Sequence, residues 1–154
     1  MRIGILILYL LSFSWAVKAD GLSGAMKAAE MGMRAQSYRL KIISENIANS
    51  NVTGNTALEN PYRRKTISFR TKKDEKTGAN IVVVDKISED MSDFHLRYEP
   101  YHPAADDRGY VKYPNVELIL ESADAKEAQR TFEANLNSFN ISKSNREVII
   151  NALK

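Results

Sequence analysis

The sequence predicts an α+β protein: an elongated pair of long terminal α-helices with coiled-coil-like packing, and a small β-rich insert between them. Three observations carry this expectation. Apolar residues recur in steps of four and three near the N-terminus, the same spacing returns near the C-terminus, and the stretch between them is broken by turn residues and alternates like strands.

The first helical stretch carries Leu22, Met26, Ala29, Met33, Gln36, Leu40, Ile43 and Ile47 on one seam. Steps of four and three average 3.5 residues, the repeat of a helix packed along another helix. A helix in the core of a globular domain would show a wider apolar face. The stripe ends in "SENIANSNVTGN", with asparagines at 46, 49, 51 and 55. Asparagine is a poor helix interior residue, caps helix ends and tolerates left-handed backbone. Asn46, Asn49 and Asn51 are therefore expected to turn the helix sharply into an extended segment.

Residues 55–115 read as the insert. "TISF" and "NIVVVDKI" flank the turn-like "KKDEKTGA", and "FHLRY" places Phe94, Leu96 and Tyr98 on one face with His95 and Arg97 on the other. "GYVKY" is a further short strand before Pro114. From Val116 onward there is neither proline nor glycine, which permits one long helix. Its seam runs Ala125, Ala128, Phe132, Asn135, Phe139, Ser142, Arg146, Ile149 and Leu153, far more polar than the first. A helix over 116–154 would be about 58 Å long and one over 21–48 about 42 Å, against a radius of gyration of roughly 14 Å for a compact domain of this size. Such helices, with few large apolar residues, are expected to be completed by neighbouring subunits. The assembly seam is Leu22, Met26, Met33, Leu40, Ile43, Ile47, Phe132, Phe139, Ile149 and Leu153.

The first nineteen residues read as a leader. Arg2 precedes an apolar run over 3–17, and Val17 and Ala19 hold the small-residue positions before a cleavage ahead of Asp20. Fifteen helical residues cover about 22 Å, short of a hydrocarbon core of about 30 Å. Membrane contact is therefore expected through this leader alone. The domain plan is a Sec signal peptide at 1–19, an N-terminal helix with its asparagine turn at 20–54, the β-rich insert at 55–115, and a C-terminal helix at 116–154 packing with the first.

Composition excludes several chemistries. There is no cysteine, hence no disulfide, thiol nucleophile or cysteine zinc site. Loss of Arg2 and Lys18 with the leader leaves 20 basic residues against 19 acidic, so no nucleic-acid partner is indicated. His95, His102, Asp106 and Asp107 are the best enzymatic cluster, but a strand's polar face and a loop before proline hold the histidines. No HExxH, nucleophile elbow or phosphate loop accompanies them. No catalytic, metal or cofactor site and no small-molecule substrate is expected. The sequons at Asn51 and Asn140 are chance matches, and Arg63 and Arg64 beside Tyr62 read as a solvated strand edge.

Four segments in order, "AQSYRLKIISENIANSN", "NPYRRKTISF", "YEPYHPAADDRGYVKYPNV" and "RTFEANLNSFNISKS", resemble the rod proteins of the bacterial flagellar basal body, specifically the FlgC family of proximal rod subunits. The resemblance covers residues 20–154. It implies a structural subunit of the rod, built by helix packing with other axial proteins and with copies of itself, and located in the basal body on the periplasmic side of the inner membrane. The helix-end asparagines would then lie in a wall of helices, where amides bond across subunits. The competing expectation is a secreted periplasmic binding or chaperone-like module that forms no rod.

Two features depart from what the resemblance implies. That family is exported by the flagellum's own type III apparatus without a cleaved leader. The stretch "ESADAKEAQ" at 121–129 is more polar than the family's, which implies looser or differently partnered packing. If the leader is removed, mass spectrometry of the protein from its host should find the N-terminus at or near Asp20; an intact Met1 in assembled basal bodies would exclude Sec processing.

Overall fold

The computed structural model describes residues 2–153, with side chains described from Gly21 onward; the expected leader, with its Ala19–Asp20 junction, lies outside the side chains described. The element order is α1 (Arg2–Ala48), β1 (Lys65–Lys73), β2 (Asn80–Glu89), β3 (His95–Tyr98), β4 (Tyr110–Tyr113) and α2 (Leu118–Ala152). Two long helices thus flank a small insert of two two-stranded sheets, the α+β class expected. Among the described residues, no helix is long and apolar enough to cross a membrane.

The chain divides into two compact units, and both long helices contribute to each. The first unit gathers Met1–Ala35, Arg70–Val83 and Thr131–Lys154. Its buried side chains on α1 are small, Ala29 and Ala35, and β2 adds Ile81. Small residues let backbones approach, and α1 uses this twice. A Cβ on Gly24 would sit 3.1 Å from the Cβ of Ala79 in the β1–β2 turn, so the hairpin tip rests against the helix. A Cβ on Gly32 would sit 2.6–2.9 Å from all three amide atoms of Asn135 on α2. The hairpin tip is shaped by Gly78 (φ 66°) and by Asp74, whose Oδ2 accepts hydrogen bonds from Thr77 N (2.9 Å) and Oγ1 (2.8 Å).

The second unit gathers Gln36–Phe69 and Val84–Arg130. Ile42, Ile43, Ala104, Val111, Val116 and Ala128 form its apolar core. Strands β3 and β4 pair antiparallel, with Leu96 opposite Lys112, Arg97 opposite Val111 and Tyr98 opposite Tyr110. Opposed residues share a face. Val111 is fully buried, while Arg97 opposite it stays exposed with its guanidinium 4.1 Å from the Tyr113 ring centroid. Leu96 and Tyr98 do share a face, as the alternation implied, but that apolar face is left uncovered, and all four β3 residues are exposed.

The Gly32 contact generates a test. Asn135 cannot swing away freely, because its Nδ2 donates to Thr131 O at 2.9 Å. In an open helix Gly→Ala gains up to ~1 kcal/mol. Here the added methyl displaces a held amide, so Gly32→Ala should instead destabilise by about 1–2 kcal/mol, an overpacking cost. Combining it with Asn135→Ala should recover that loss, measured as urea midpoints. A stabilised Gly32→Ala single variant would show that the helices do not meet there.

Candidate functional site

The polar centre of the second unit forms where the end of α1, the lead-in to β1 and the first turn of α2 converge. Asn46 (1% exposed) uses its whole amide. Nδ2 donates to Lys65 O (2.9 Å) and to Glu121 Oε2 (3.1 Å), while Oδ1 accepts from Tyr62 Oη (2.8 Å) and Lys65 N (2.9 Å). Two donors and two acceptor positions are the full capacity of that side chain. Glu121, also 1% exposed, accepts from Arg64 Nε at 2.6 Å through its other oxygen. Arg64 further reaches Asp90 Oδ2 (3.5 Å) and Asp124 (4.0 Å).

A second buried asparagine extends the network. Asn115 Oδ1 accepts from Arg64 N (2.9 Å), and its Nδ2 donates to Asp90 O (2.9 Å) and Ser92 Oγ (2.8 Å). Glu45 closes the edge with Lys65 at 3.0 Å. Burial works against the Arg64 charge, yet the hydrogen bond to Glu121 and the carboxylates of Glu121 and Asp90 hold its pKa above the ordinary value. Hydrogen bonds from Ser92, with Arg64 behind them, keep the Asp90 carboxyl below its usual range. Burial raises the Tyr62 phenol, which is thereby fixed as a donor. The arrangement holds three chain segments in register and presents no unpaired nucleophile.

Several expectations change here. Arg63 and Arg64 are not a solvated edge: Arg64 serves Glu121, while Arg63 donates to Asp90 O (3.0 Å) and Ser92 O (2.8 Å) with its guanidinium 4.1 Å from the Phe94 centroid. Glu121, inside the stretch whose polarity suggested loose packing, is among the most buried side chains described. The asparagine turn needs no left-handed residue, since no described non-glycine residue has positive φ. Instead Asn49 Nδ2 and Ser50 Oγ bond the last helical carbonyls, those of Glu45 (2.7 Å) and Ile47 (2.9 Å). Asn46 is committed within its own chain, and Asn51 is the exposed member of the trio.

Along the expected seam, Ile43 is buried, and Leu22, Met26, Met33, Leu40, Phe132 and Phe139 are half-buried. Ile47, Ile149 and Leu153 are exposed. His102 Nδ1 accepts from Ala104 N at 3.1 Å, a loop contact, and His95 Nε2 lies 3.9 Å from Glu117. Among the described residues no group of three His, Asp or Glu could hold a metal ion.

The comparisons agree with this architecture. The family model for flagella basal body rod proteins matches residues 26–56, the stretch of α1 that contains Asn46 and runs through the asparagine turn. The flagellar basal-body rod protein FlgC of Agrobacterium fabrum is 49% identical over 117 residues, 76% of this chain and 84% of the relative. FlgC of Bacillus subtilis is 34% identical over 134 residues, covering 77% and 89%, and FlgC of Escherichia coli O157:H7 is 36% identical over 117 residues, covering 75% and 86%. A helical seam, a capped turn and this match define a flagellar rod protein. More narrowly, the chain belongs to the FlgC family and is a structural subunit of the basal-body rod. The binding or chaperone-like alternative is not favoured.

Removing Arg64 would strand a buried carboxylate, which costs about 3–5 kcal/mol in a dry site. Side-chain exposure of Arg64 is 25%, so water can reach the emptied position and about 2–3 kcal/mol is expected for Arg64→Ala. Adding Glu121→Gln, which keeps the acceptor for Asn46 but removes the charge, should return part of that loss in a urea titration. A double variant no better than Arg64→Ala would mean the pair is not coupled.

Proposed function

We propose that this chain builds the rod by packing its terminal helices against those of other rod proteins and of its own copies, on the periplasmic side of the inner membrane, after removal of a leader. It performs no catalysis and takes no nucleic acid, cofactor or small-molecule substrate. One observation carries the reading: α2 displays Ile141, Val148, Ile149 and Ile150 to solvent in the isolated chain, and Leu153, just past its last residue, is exposed as well. Exposed apolar groups spread along a polar helix gain nothing for a monomer, whereas burial against a partner is worth roughly 25 cal/mol per Å² of apolar surface. Ile149 and Leu153, four residues apart at the end of the helix and just beyond it, are expected seam residues of this set. The low helix propensity of "NLNSFNISKSN" fits the same reading, since a neighbour would supply the tertiary contacts that such a segment needs.

The test separates assembly from folding. Ile149→Asp changes an exposed position and should shift isolated-chain stability by only about 0.5 kcal/mol. Its incorporation into basal bodies, and swimming in a strain lacking the native gene, should be lost. Ile43→Asp, at a buried position, should instead abolish the folded chain. Normal rods from Ile149→Asp would defeat the helix-packing proposal.

A further inference from the structure

The loop between β3 and β4 is the one segment of family-like sequence to which rod building by helices assigns no task. It holds Tyr101 at 99% exposure, between Pro100 and Pro103. A ring so displayed is normally mobile, but this loop is tied down. Glu99 N donates to Gly109 O (2.9 Å), His102 N to Glu99 O (3.0 Å), Ala105 N to His102 O (2.9 Å) and Asp106 N to Tyr110 O (2.9 Å). Asp106 Oδ1 accepts from both Arg108 N and Tyr110 N at 2.9 Å. Gly109 (φ 83°) closes the loop against Tyr98 and Pro100, where a Cβ would meet atoms at 2.9 and 3.1 Å. A pre-organised loop presenting an aromatic ring has the make-up of an interface anchor, because little backbone entropy is left to lose on docking and a tyrosine has only two side-chain torsions to fix.

A matching recess exists in the same unit. A groove of about 520 Å³ runs between the asparagine turn, β3 and the start of α2. Leu96, Val116, Leu118 and Ile119 supply its apolar lining, and Asn51, Arg97 and Glu117 its polar one. Leu118, Ile119 and Leu120 are consecutive and all exposed, at 46%, 82% and 61%. Three successive helical positions point in directions spread over about 200°, so no single face of the subunit's own core could cover them. The charges also suit one another. In the loop Glu99 accepts from Tyr113 Oη and Asp106 lies 3.6 Å from Arg108, which leaves Asp107 as the acid with no such partner among the described residues. In the groove wall Glu117 lies 3.9 Å from His95, which leaves exposed Arg97 as the cation without an ion-pair partner among them.

We infer that Tyr101 of one copy seats in the Leu96–Ile119 groove of a second copy, with Asp107 facing Arg97 and the Asn51 amide within the contact. This rests on the rod reading and adds to it a second, non-helical contact between identical subunits. Loop and groove are different patches, so the contact is head-to-tail and can propagate as an open series.

The absence of cysteine makes the test direct. Copies carrying only Pro103→Cys, beside the ring on the same loop, and copies carrying only Glu117→Cys, at the groove, both retaining Tyr101 and Ile119 and each with its own tag, are co-expressed in a strain lacking the native gene. Basal bodies are then treated with a short bismaleimide. A covalent dimer bearing both tags is expected, with at least tenfold less dimer when either variant is expressed alone. Tyr101→Ala should leave the circular dichroism of the isolated chain unchanged yet lower its recovery in basal bodies about tenfold or more, as loss of an anchor does, and Tyr101→Phe should restore most of it. Cross-linking of the Pro103→Cys copy to a different protein, or no cross-link although both chains are present in basal bodies, would overturn the inference. Absence of both chains and of the unmodified protein from basal bodies would overturn the rod reading with it.

Discussion

The junction of three chain segments in the second unit depends on the ion pair of a buried acid with Arg64 and on the amide beside it. Glu121 is an acid with 1% exposure, and an isolated carboxylate in that position would not remain charged without large cost. Arg64 supplies the cation and Asn46 a neutral donor, so both carboxylate oxygens are occupied. Each partner comes from a different segment. The pair can form only when the end of α1, the strand lead-in and the first turn of α2 have all reached their places. A two-stranded hairpin is marginal alone in water. Here the polar centre fixes β1 at its first residue, through both the N–H and the carbonyl of Lys65.

The choice of polar rather than apolar residues has a structural reason. An apolar cluster would bring the same segments together but tolerate several registers, because burial is non-directional. A fully satisfied amide and a bonded carboxylate accept one geometry. For a helix end that must pass into a strand at a defined angle, the register matters as much as the stabilisation.

Helices and strands are legible in the sequence because each has a local period. The four-three spacing marks α1 and α2, and "KKDEKTGA" marks the hairpin through Gly78 and the Asp74 cap. The polar centre is not legible. Glu121 lies 75 positions from Asn46 and 57 from Arg64, and nothing in an acid's immediate neighbours reveals a partner that distant. Polarity at 121–129 therefore reads as weakness in the sequence, when its first residue is a buried acceptor. The asparagines stand out too, but for a left-handed backbone they do not adopt. Asn46 matters because it is full, with four hydrogen bonds. The outward face of Leu96 and Tyr98 escapes for a related reason: alternation tells which residues share a face, and long-range contact decides which face is covered.

The polar centre also has a mechanical consequence. Hydrogen bonds lose most of their strength over displacements of less than an ångström and under misalignment, whereas apolar surfaces can slide while staying in contact. The junction of Asn46, Arg64 and Glu121 is therefore stiff in shear and torsion. The exposed apolar residues of α2 are of the opposite kind, able to shift against whatever covers them. Under the proposed packing, a subunit built this way would transmit twist through its own joint and take up small displacements at its helical surface.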